Sequence, residues 1–320
     1  MASSQDSSLY NIKKLDGTNF PLWKKQIWHV LVQKKQLKPI KLKGIKPEDM
    51  DEDKWNEMDE LALSTIMLTL GKSVYFNVAN EKLSKQDCPE SEEEKAEMEK
   101  IPYASAVGSL IYAMIATRPD IAFTVGVVSR YMSNLGKKHW EAVKGILRYL
   151  KATKNMCICY GSQEISVMGY TDSDYAGDLD NRRSTSGYVF TMAGGAVSWR
   201  SRLQTCVTQY TTEVEYVAAS KACKEAIWLG RLVTDLGIKE ETPMLHCDSQ
   251  SAIQLAHNLV YHSKTKHVDV KYHFIREMVE DKQVQLVKVH TTDNPADLLT
   301  KELPGQSFAH YCKLLGIGST

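Results

Sequence analysis

Short apolar, β-prone runs and a long helical run follow one another in the carboxyl-terminal half of this chain. Residues 165–171 (ISVMGYT) are apolar and β-prone, and two further strand-like runs behind them are joined by a Gly-Gly turn. A long helical run follows, in which small and apolar residues recur every three or four positions. The other predicted elements are strands at 187–194, 196–202, 244–248 and 284–290, and helices at 212–236, from 249 and from 294. This order predicts an α/β domain over residues 161–320.

The amino-terminal part shows a helical period instead. A helix is predicted to start at Asn19-Phe20-Pro21, because proline is tolerated in the first turn, where its missing N–H has no partner to lose. The apolar positions of this helix are Trp23, Ile27, Val30 and Leu31. A second helical pattern from Pro47 is acidic at first and then apolar up to Leu70. Residues 1–82 are therefore predicted to form a small all-α segment.

Residues 83–160 are predicted to form a helical linker. A charged run with two prolines marks the boundary and leads into a short acidic helix. A later helix carries an apolar stripe made of Trp140, Val143, Ile146, Leu147 and Leu150. Its basic residues Lys144, Arg148 and Lys151 lie off that stripe. They suit either plain solvation or contact with a phosphate backbone.

Composition narrows the class of protein. The 320 residues are 43% hydrophobic and 25% charged with a net charge of +1, so any attraction to nucleic acid must come from local patches. Seven cysteines without a Cys-x-x-Cys pair favour free thiols in a reducing compartment. The polar start MASSQDSSLY lacks the apolar core of a signal peptide, and the apolar run 104–116 is too short to span a bilayer. The sequence predicts an intracellular protein of the cytoplasm or nucleus, neither secreted nor bound to membranes.

Carboxylates follow the first predicted strand of the α/β domain. Asp172, Asp174 and Asp178 suit either a divalent cation, which prefers oxygen ligands, or a solvated turn. Glu215 favours the first reading, because it falls on the small, apolar side of the long helix. A carboxylate on a buried face is costly unless it is paired or bound to metal. Glu213, two residues earlier, and Glu225 fall off that side and are expected to be solvated.

Two further acids come from later elements. Asp248 closes a short strand, where it can also cap the next helix, and Asp297 stands at the start of the last helix, where the helix dipole also favours it. Asp172, Glu215, Asp248 and Asp297 thus come from four separate elements. Four carboxylates suit a pair of Mg²⁺ ions, with Mn²⁺ as the alternative, that activate water in phosphodiester hydrolysis.

Basic and histidine residues crowd the region 257–290. Lys264, Lys266, His267, Lys271 and Arg276, together with His262, are predicted to form a rim that holds nucleic acid by its phosphates and ribose hydroxyls. A zinc site is disfavoured, because the paired ligand spacings that zinc requires are absent. His290 precedes the final acid. It is either a proton carrier for the leaving group or an ordinary strand-end histidine.

These motifs give the carboxyl-terminal part a close resemblance to the ribonuclease H domain of copia-type long-terminal-repeat retrotransposons. The matching strings are 170–178 (YTDSDYAGD), 183–188 (RSTSGY), 211–216 (TTEVEY), 247–252 (CDSQSA), 266–267 (KH), 272–277 (YHFIRE) and 296–301 (ADLLTK). The resemblance implies a ribonuclease H-like mixed sheet flanked by helices. It also implies that Asp172, Glu215, Asp248 and Asp297 are the Asp-Glu-Asp-Asp metal ligands. It continues to Leu315-Gly316, so a complete carboxyl terminus is expected.

The upstream segments resemble other parts of the same elements. Residues 102–110 (PYASAVGSL), 117–122 (TRPDIA), 129–131 (SRY) and 148–151 (RYLK) resemble the end of copia-type reverse transcriptase. The polymerase motif Tyr-x-Asp-Asp is absent from the chain, so polymerase activity is not expected. Residues 15–20 (LDGTNF), with Trp23, Trp28 and Trp55, resemble the start of Gag, which implies Gag-type self-association.

The combined expectation is a retrotransposon-derived ribonuclease H. It would cut the RNA strand of RNA–DNA hybrids by two-metal hydrolysis, and this truncated form is expected to be weakly active at best. The alternative is a non-catalytic, domesticated or decaying protein that binds nucleic acid or Gag partners. A chimeric gene model never made as one protein is a third reading that the sequence leaves open.

Overall fold

The computed structural model describes residues 20–33, 35, 38, 47, 54–55, 83–161, 166–238, 242–257 and 274–319. The chain divides into two compact units, residues 1–78 with 304–306 and residues 79–303 with 307–320. In the first unit, helix α1 spans Phe20–Gln33 and buries Ile27, Val30 and Leu31, as its spacing predicted. The helix predicted from Pro47 falls almost entirely outside the described residues. Segments 83–160 and 161–320 both lie in the second unit, apart from residues 304–306.

Four helices come first in the second unit. They are α2 (Glu92–Glu99), α3 (Tyr103–Ala116), α4 (Ala122–Val128) and α5 (Lys137–Ala152). Helix α2 begins where the Ser91 hydroxyl accepts a hydrogen bond from the Glu94 N–H, and its acidic first turn suits the helix dipole. On α5, Val143 and Ile146 are buried as predicted, whereas Leu147 is 40% exposed. The buried face of α5 runs through His139 and Tyr149 instead.

A five-stranded mixed sheet forms the centre of the second unit. The strands of the described residues are, in chain order, β1 (Met156–Ile158), β2 (Met168–Ser173), β3 (Thr185–Met192), β4 (Gly195–Leu203), β5 (Met244–Cys247), β6 (Gln285–Lys288) and β7 (Ile317–Ser319). The order across the sheet is β4-β3-β2-β5-β6, with β2, β3 and β4 antiparallel and β2, β5 and β6 parallel. Strands β1 and β7 form a small antiparallel sheet of their own.

Helices pack on the sheet through a buried apolar core. They are α6 (Thr211–Asp235), α7 (Gln250–His257) and α8 (Phe274–Glu280). The last helix, α9 (Gly305–Leu314), instead brings the Phe308 ring edge-on to the Tyr149 ring of α5, at 6.0 Å. Tyr216, Ala219 and Ala226 of α6 pack with Phe190 and Leu245 of the sheet, and burying such side chains stabilises the domain by about 25 cal/mol per Å² of apolar surface. The predicted α/β class, with a ribonuclease H-like mixed sheet flanked by helices, is confirmed.

The end of the domain differs from the sequence prediction. The helix expected from residue 294 is a short 3₁₀ helix, Pro295–Leu299, and α9 begins only at Gly305. Pro304 explains the late start, because proline cannot donate within a helix and restricts the residue before it. Within the described part of the chain, no helix has both the length and the apolar character needed to cross a membrane.

Candidate metal centre

Strand register brings the first two acids together. The parallel strands β2 and β5 run side by side, and their last paired residues are Thr171 and Cys247. The next residue along each strand is an acid, Asp172 on β2 and Asp248 just after β5. Because neighbouring strands lie about 4.8 Å apart, these two carboxyl groups meet at one edge of the sheet.

A close approach of backbone delivers the third acid. Asp297 lies in the 3₁₀ helix Pro295–Leu299, and the Asn294 side chain ties this segment to the sheet by donating to the Thr171 carbonyl at 3.0 Å. Gly187 of β3 makes room for it, since a Cβ there would lie 2.6 Å from the Leu299 Cβ. Only glycine fits such an approach without displacing the neighbour.

The four predicted metal ligands gather in two overlapping groups. One oxygen from each of Asp172, Asp248 and Asp297 lies within 4.8 Å of the others, and the same holds for ligand atoms of Glu215, Cys247 and Asp248. Asp248 belongs to both groups. Cys247 was not expected there; its burial raises the pKa of the thiol, which favours a structural, protonated sulfur.

Burial and mutual repulsion disfavour negative charge on these acids. Asp172 and Asp297 are 2% and 3% exposed. Burial is the main cause that raises the pKa of Asp172, and burial together with Asp172 raises the pKa of Asp297 to about 7. Burial, Asp172 and Asp248 hold the pKa of Glu215 well above its usual value, and among the described residues its Oε2 atom is buried with no hydrogen-bond partner. Such a cluster is stabilised by protons or by cations.

Two neighbours of the cluster were missed by sequence reasoning. The Lys301 Nζ atom lies 3.0 Å from Asp297 Oδ1 and 3.8 Å from Asp172 Oδ2, and the Thr300 hydroxyl donates to Asp172. The available signal was spacing, because Lys301 follows Asp297 by four residues. These residues compensate and orient the two buried aspartates.

Polyproteins of plant transposons are similar in sequence to this chain. No protein-family model matches the chain. The retrovirus-related Pol polyprotein from transposon TNT 1-94 of Nicotiana tabacum is 55% identical over 238 residues, which are 74% of this chain and 18% of that polyprotein. The Pol polyprotein from transposon RE2 of Arabidopsis thaliana is 37% identical over 217 residues, 67% of this chain and 15% of the relative. The chain belongs to the copia-type retrotransposon Pol polyproteins.

This copia-type chain spans less than a fifth of the length of those relatives. Among solved structures, RNase H1 from the archaeon Halobacterium salinarum NRC-1 is similar at 19% identity and a TM-score of 0.27, over 42% of this chain and 94% of that one.

Other acids of the copia-type chain accept hydrogen bonds from backbone N–H groups or from a hydroxyl. Asp174 accepts a hydrogen bond from the Thr185 N–H, and burial raises its pKa to about 6. Glu213, expected in solvent, is 3% exposed and accepts from the Gln209 N–H at 3.2 Å, so that expectation was wrong. It closes the first turn of α6, where free N–H groups need acceptors. Glu225 is half-buried and accepts from the Ser198 hydroxyl at 2.7 Å, also against expectation.

The predicted nucleic-acid rim is only partly visible. Lys264, Lys266, His267 and Lys271 lie outside the described residues. Arg276 is 4% exposed, donates to the Leu255 carbonyl at 3.1 Å and lies over the Tyr216 ring. Its expected place on a surface rim is therefore corrected: the guanidinium is inside, because α8 packs that face against α6 and α7.

His290 lies on the surface beside the short 3₁₀ helix Thr291–Asp293. Its Nδ1 atom is 2.9 Å from the Thr292 hydroxyl and accepts from the Thr292 N–H at 3.3 Å. The ring thus caps this turn and also reaches solvent. A structural role at the end of the strand and a role as proton carrier are therefore compatible.

Proposed function

We propose that this chain is a ribonuclease H-type endonuclease that hydrolyses the RNA strand of RNA–DNA hybrids with two Mg²⁺ ions. The observation that carries the proposal is the convergence of Asp172, Glu215, Asp248 and Asp297 from four elements onto one edge of the sheet. Membership of the copia-type Pol polyproteins supports it. In the reaction, water attacks phosphorus in line with the leaving 3′-oxygen, and the product carries a 5′-phosphate.

The donor set fits a pair of hard divalent cations. All four proposed ligands are carboxylates, the group that Mg²⁺ prefers, and Mn²⁺ would be accepted by the same oxygens. The unpartnered Glu215 Oε2 and the raised pKa of Asp297 both indicate acids whose ionised form is disfavoured here and would be stabilised by a bound cation. When bound, the two ions supply a lowered pKa for the attacking water and charge stabilisation for the leaving oxygen.

The remaining roles belong to side chains around the acids. Asp172 is oriented by the Thr300 hydroxyl, and Lys301 compensates Asp172 and Asp297. His290, on the surface, is proposed to exchange a proton with the leaving group and solvent. Lys264, Lys266, His267 and Lys271 are proposed to contact the phosphates of the hybrid. Gag-type self-association through residues 1–82 and a cytoplasmic or nuclear location also stay predictions.

Cleavage of a labelled RNA–DNA hybrid tests the proposal. Wild type with Mg²⁺ is expected to cut, and Asp172→Asn is expected to abolish cutting, because it removes one charge from the proposed ligand set. Asp281→Asn is the matched control, since Asp281 is exposed and follows α8. Intact binding of the hybrid without cutting by wild type would instead support the non-catalytic binding protein. Loss of both would indicate a relic without this activity.

A further inference from the structure

The turn that follows the strand of Asp172 is acidic and tightly bonded. Residues 174–184, called here the acidic turn, join β2 to β3. Asp178 is 3% exposed and accepts hydrogen bonds from the N–H and side-chain amide of Asn181. The backbones of Arg182 and Arg183 bond to Asp178 as well, at 2.8 and 3.0 Å. The turn therefore buries a carboxylate six residues after Asp172.

The segment before the ribonuclease H sheet holds this turn from outside. Arg130 Nη1 lies 3.2 Å from Asp178 Oδ1, and its Nη2 lies 3.4 Å from the Thr185 hydroxyl. The adjacent Tyr131 hydroxyl is 3.1 Å from Asp180 Oδ2, and the Lys85 N–H donates to Asp180 Oδ1 at 2.8 Å. Arg130, Tyr131 and Lys85 of the upstream segment thus contact Asp178 and Asp180 of the turn through an ion pair and hydrogen bonds.

A cavity lies between the upstream segment and the acidic turn. Its volume is ≈ 320 Å³, and its lining includes Phe123, Arg130, Asp174, Asp178 and Lys301. Glu302 also lines it. Among the described residues, the lining therefore carries three carboxylates and two cations, and this excess of acids disfavours the binding of a phosphate there. Arg130 is accordingly directed at the protein itself.

We propose that Arg130, supported by Tyr131, is a positioning residue for Asp172. The proposal rests on the metal centre of the proposed function. Arg130 pairs with Asp178, the pair fixes the acidic turn, and the turn starts directly after the strand that carries Asp172. Without the guanidinium, Asp178 would be a buried charge lacking its cation, and the turn would have to move to reach water. The reverse-transcriptase-like segment thereby acts as part of the ribonuclease H site.

The test compares variants of the full chain in two measurements. The first is the Mg²⁺ concentration that gives half of the full rise in melting temperature, and the second is kcat and KM for hybrid cleavage. The variants are Arg130→Met, Arg130→Lys and Arg130→Met combined with Asp178→Asn. Lys137→Met is the matched control, because it removes an ion pair of the same segment, with Glu97 at 3.4 Å, away from the turn.

Arg130→Met is expected to raise the half-effect Mg²⁺ concentration about tenfold and to lower kcat by a similar factor, with KM nearly unchanged, since small misplacements of reacting groups cost large factors in rate. Arg130→Lys is expected to recover most of both losses, and the double variant part of them. Lys137→Met is expected to match wild type. A half-effect concentration in folded Arg130→Met equal to that of wild type or Lys137→Met overturns the inference.

Tyr131→Phe guards against a variant that does not fold. It keeps the ring, which stacks on His139 at 4.0 Å, and removes the hydroxyl, which lies 3.1 Å from Asp180 Oδ2 and 2.9 Å from the Leu83 carbonyl of the same upstream segment. A roughly twofold shift of the half-effect Mg²⁺ concentration in the same direction is expected, and no shift overturns the inference. A wild type that responds to Mg²⁺ but cuts no hybrid refutes the proposed function and leaves this test intact. A wild type without any Mg²⁺ response overturns both.

Discussion

Glu215 and Asp297 each have a buried oxygen with no hydrogen-bond partner among the described residues, but Asp297 Oδ1 has the Lys301 ammonium 3.0 Å away. We expect Glu215→Gln to abolish Mg²⁺-dependent cleavage while leaving the metal-free protein as stable as wild type or more so. The substitution removes a charge that burial and two aspartates disfavour. A rise in melting temperature of about 2–4 °C at pH 8 corresponds to ~1 kcal/mol in a domain of this size.

Thermal melting in EDTA and hybrid cleavage in Mg²⁺ measure the two effects of Glu215→Gln. Glu213→Gln is the matched control on the same helix. The Glu213 carboxylate accepts a hydrogen bond from the Gln209 N–H, and a glutamine amide at this position would accept it more weakly. That control is expected to lower the melting temperature and to leave Mg²⁺-dependent cleavage in place. Equal destabilisation by both substitutions would contradict the assignment of Glu215 as a metal ligand whose buried charge is unfavourable without the metal.

Lys301 supplies a positive charge to two of the acids, with its Nζ atom 3.0 Å from Asp297 Oδ1 and 3.8 Å from Asp172 Oδ2. Lys301→Met is expected to lower the melting temperature in EDTA at pH 8, because Asp172 and Asp297 would face each other without compensation. The same variant is expected to gain more stability from Mg²⁺ than wild type does. Melting curves with and without Mg²⁺ measure both changes. An unaltered melting temperature in EDTA would show that the lysine compensates little charge.

Among the elements, the 3₁₀ helix Pro295–Leu299 depends on Gly187. A Cβ at this position would lie 2.6 Å from the Leu299 Cβ and 2.8 Å from the Thr300 Cγ2. Gly187→Ala is therefore expected to push the segment outward, to displace Asp297 and to reduce cleavage by about tenfold or more. Gly318→Ala is the strand control, since nothing lies within 4 Å of its added Cβ. Comparable cleavage rates in the two variants would contradict this account.

Elements with a clear period could be predicted, and contacts between distant elements could not. The strands ending at Asp172 and Asp248 follow from short apolar, β-prone runs, and pairing of β2 with β5 places their acids together. The predicted stripe of α5 was wrong at Leu147, which is exposed, and it left out His139, which lies on the buried face. In the fold His139 is buried, since its ring bonds the Gly136 N–H and stacks on Tyr131. That environment comes from other segments.

The same limit explains the errors around the candidate site. Arg276 was placed on a rim by its charge alone, whereas burial against Tyr216 and the Leu255 carbonyl depends on how α8 packs. The ion pair of Arg130 was not predicted, because its partner Asp178 is 48 residues away in the sequence. Long-range pairs of this kind leave no periodic signal in the sequence.

For the whole molecule, the raised pKa values predict how stability changes with pH. The folded state holds protons on Asp174 up to about pH 6 and on Asp297 up to about pH 7, whereas an unfolded aspartate releases its proton near pH 4. The folded state thus binds more protons in this window. These groups therefore lower the free energy of unfolding as pH rises from about 4 to 7.

Denaturant unfolding in EDTA at pH 5 and pH 8 measures that pH effect. Because His246 has a lowered pKa and acts in the opposite direction, the informative quantity is the difference between wild type and Asp297→Asn. The variant is expected to lose less stability between the two pH values. Mg²⁺ is expected to restore wild type most at pH 8, where the ligands are ionised. An identical pH dependence in both proteins would contradict the assigned pKa of Asp297.

The small sheet of β1 and β7 has a consequence for the order of events during synthesis. Met156 pairs with Ser319, so the two strands are separated by about 160 residues of chain. A ribosome must therefore finish β7 before β1 finds its partner, long after the helices upstream have left the exit tunnel. Those helices would wait beside an unpaired strand edge, which is a template for wrong association. The pairing of β1 must accordingly wait for the synthesis of about 160 further residues, and that interval is when chaperones would matter most.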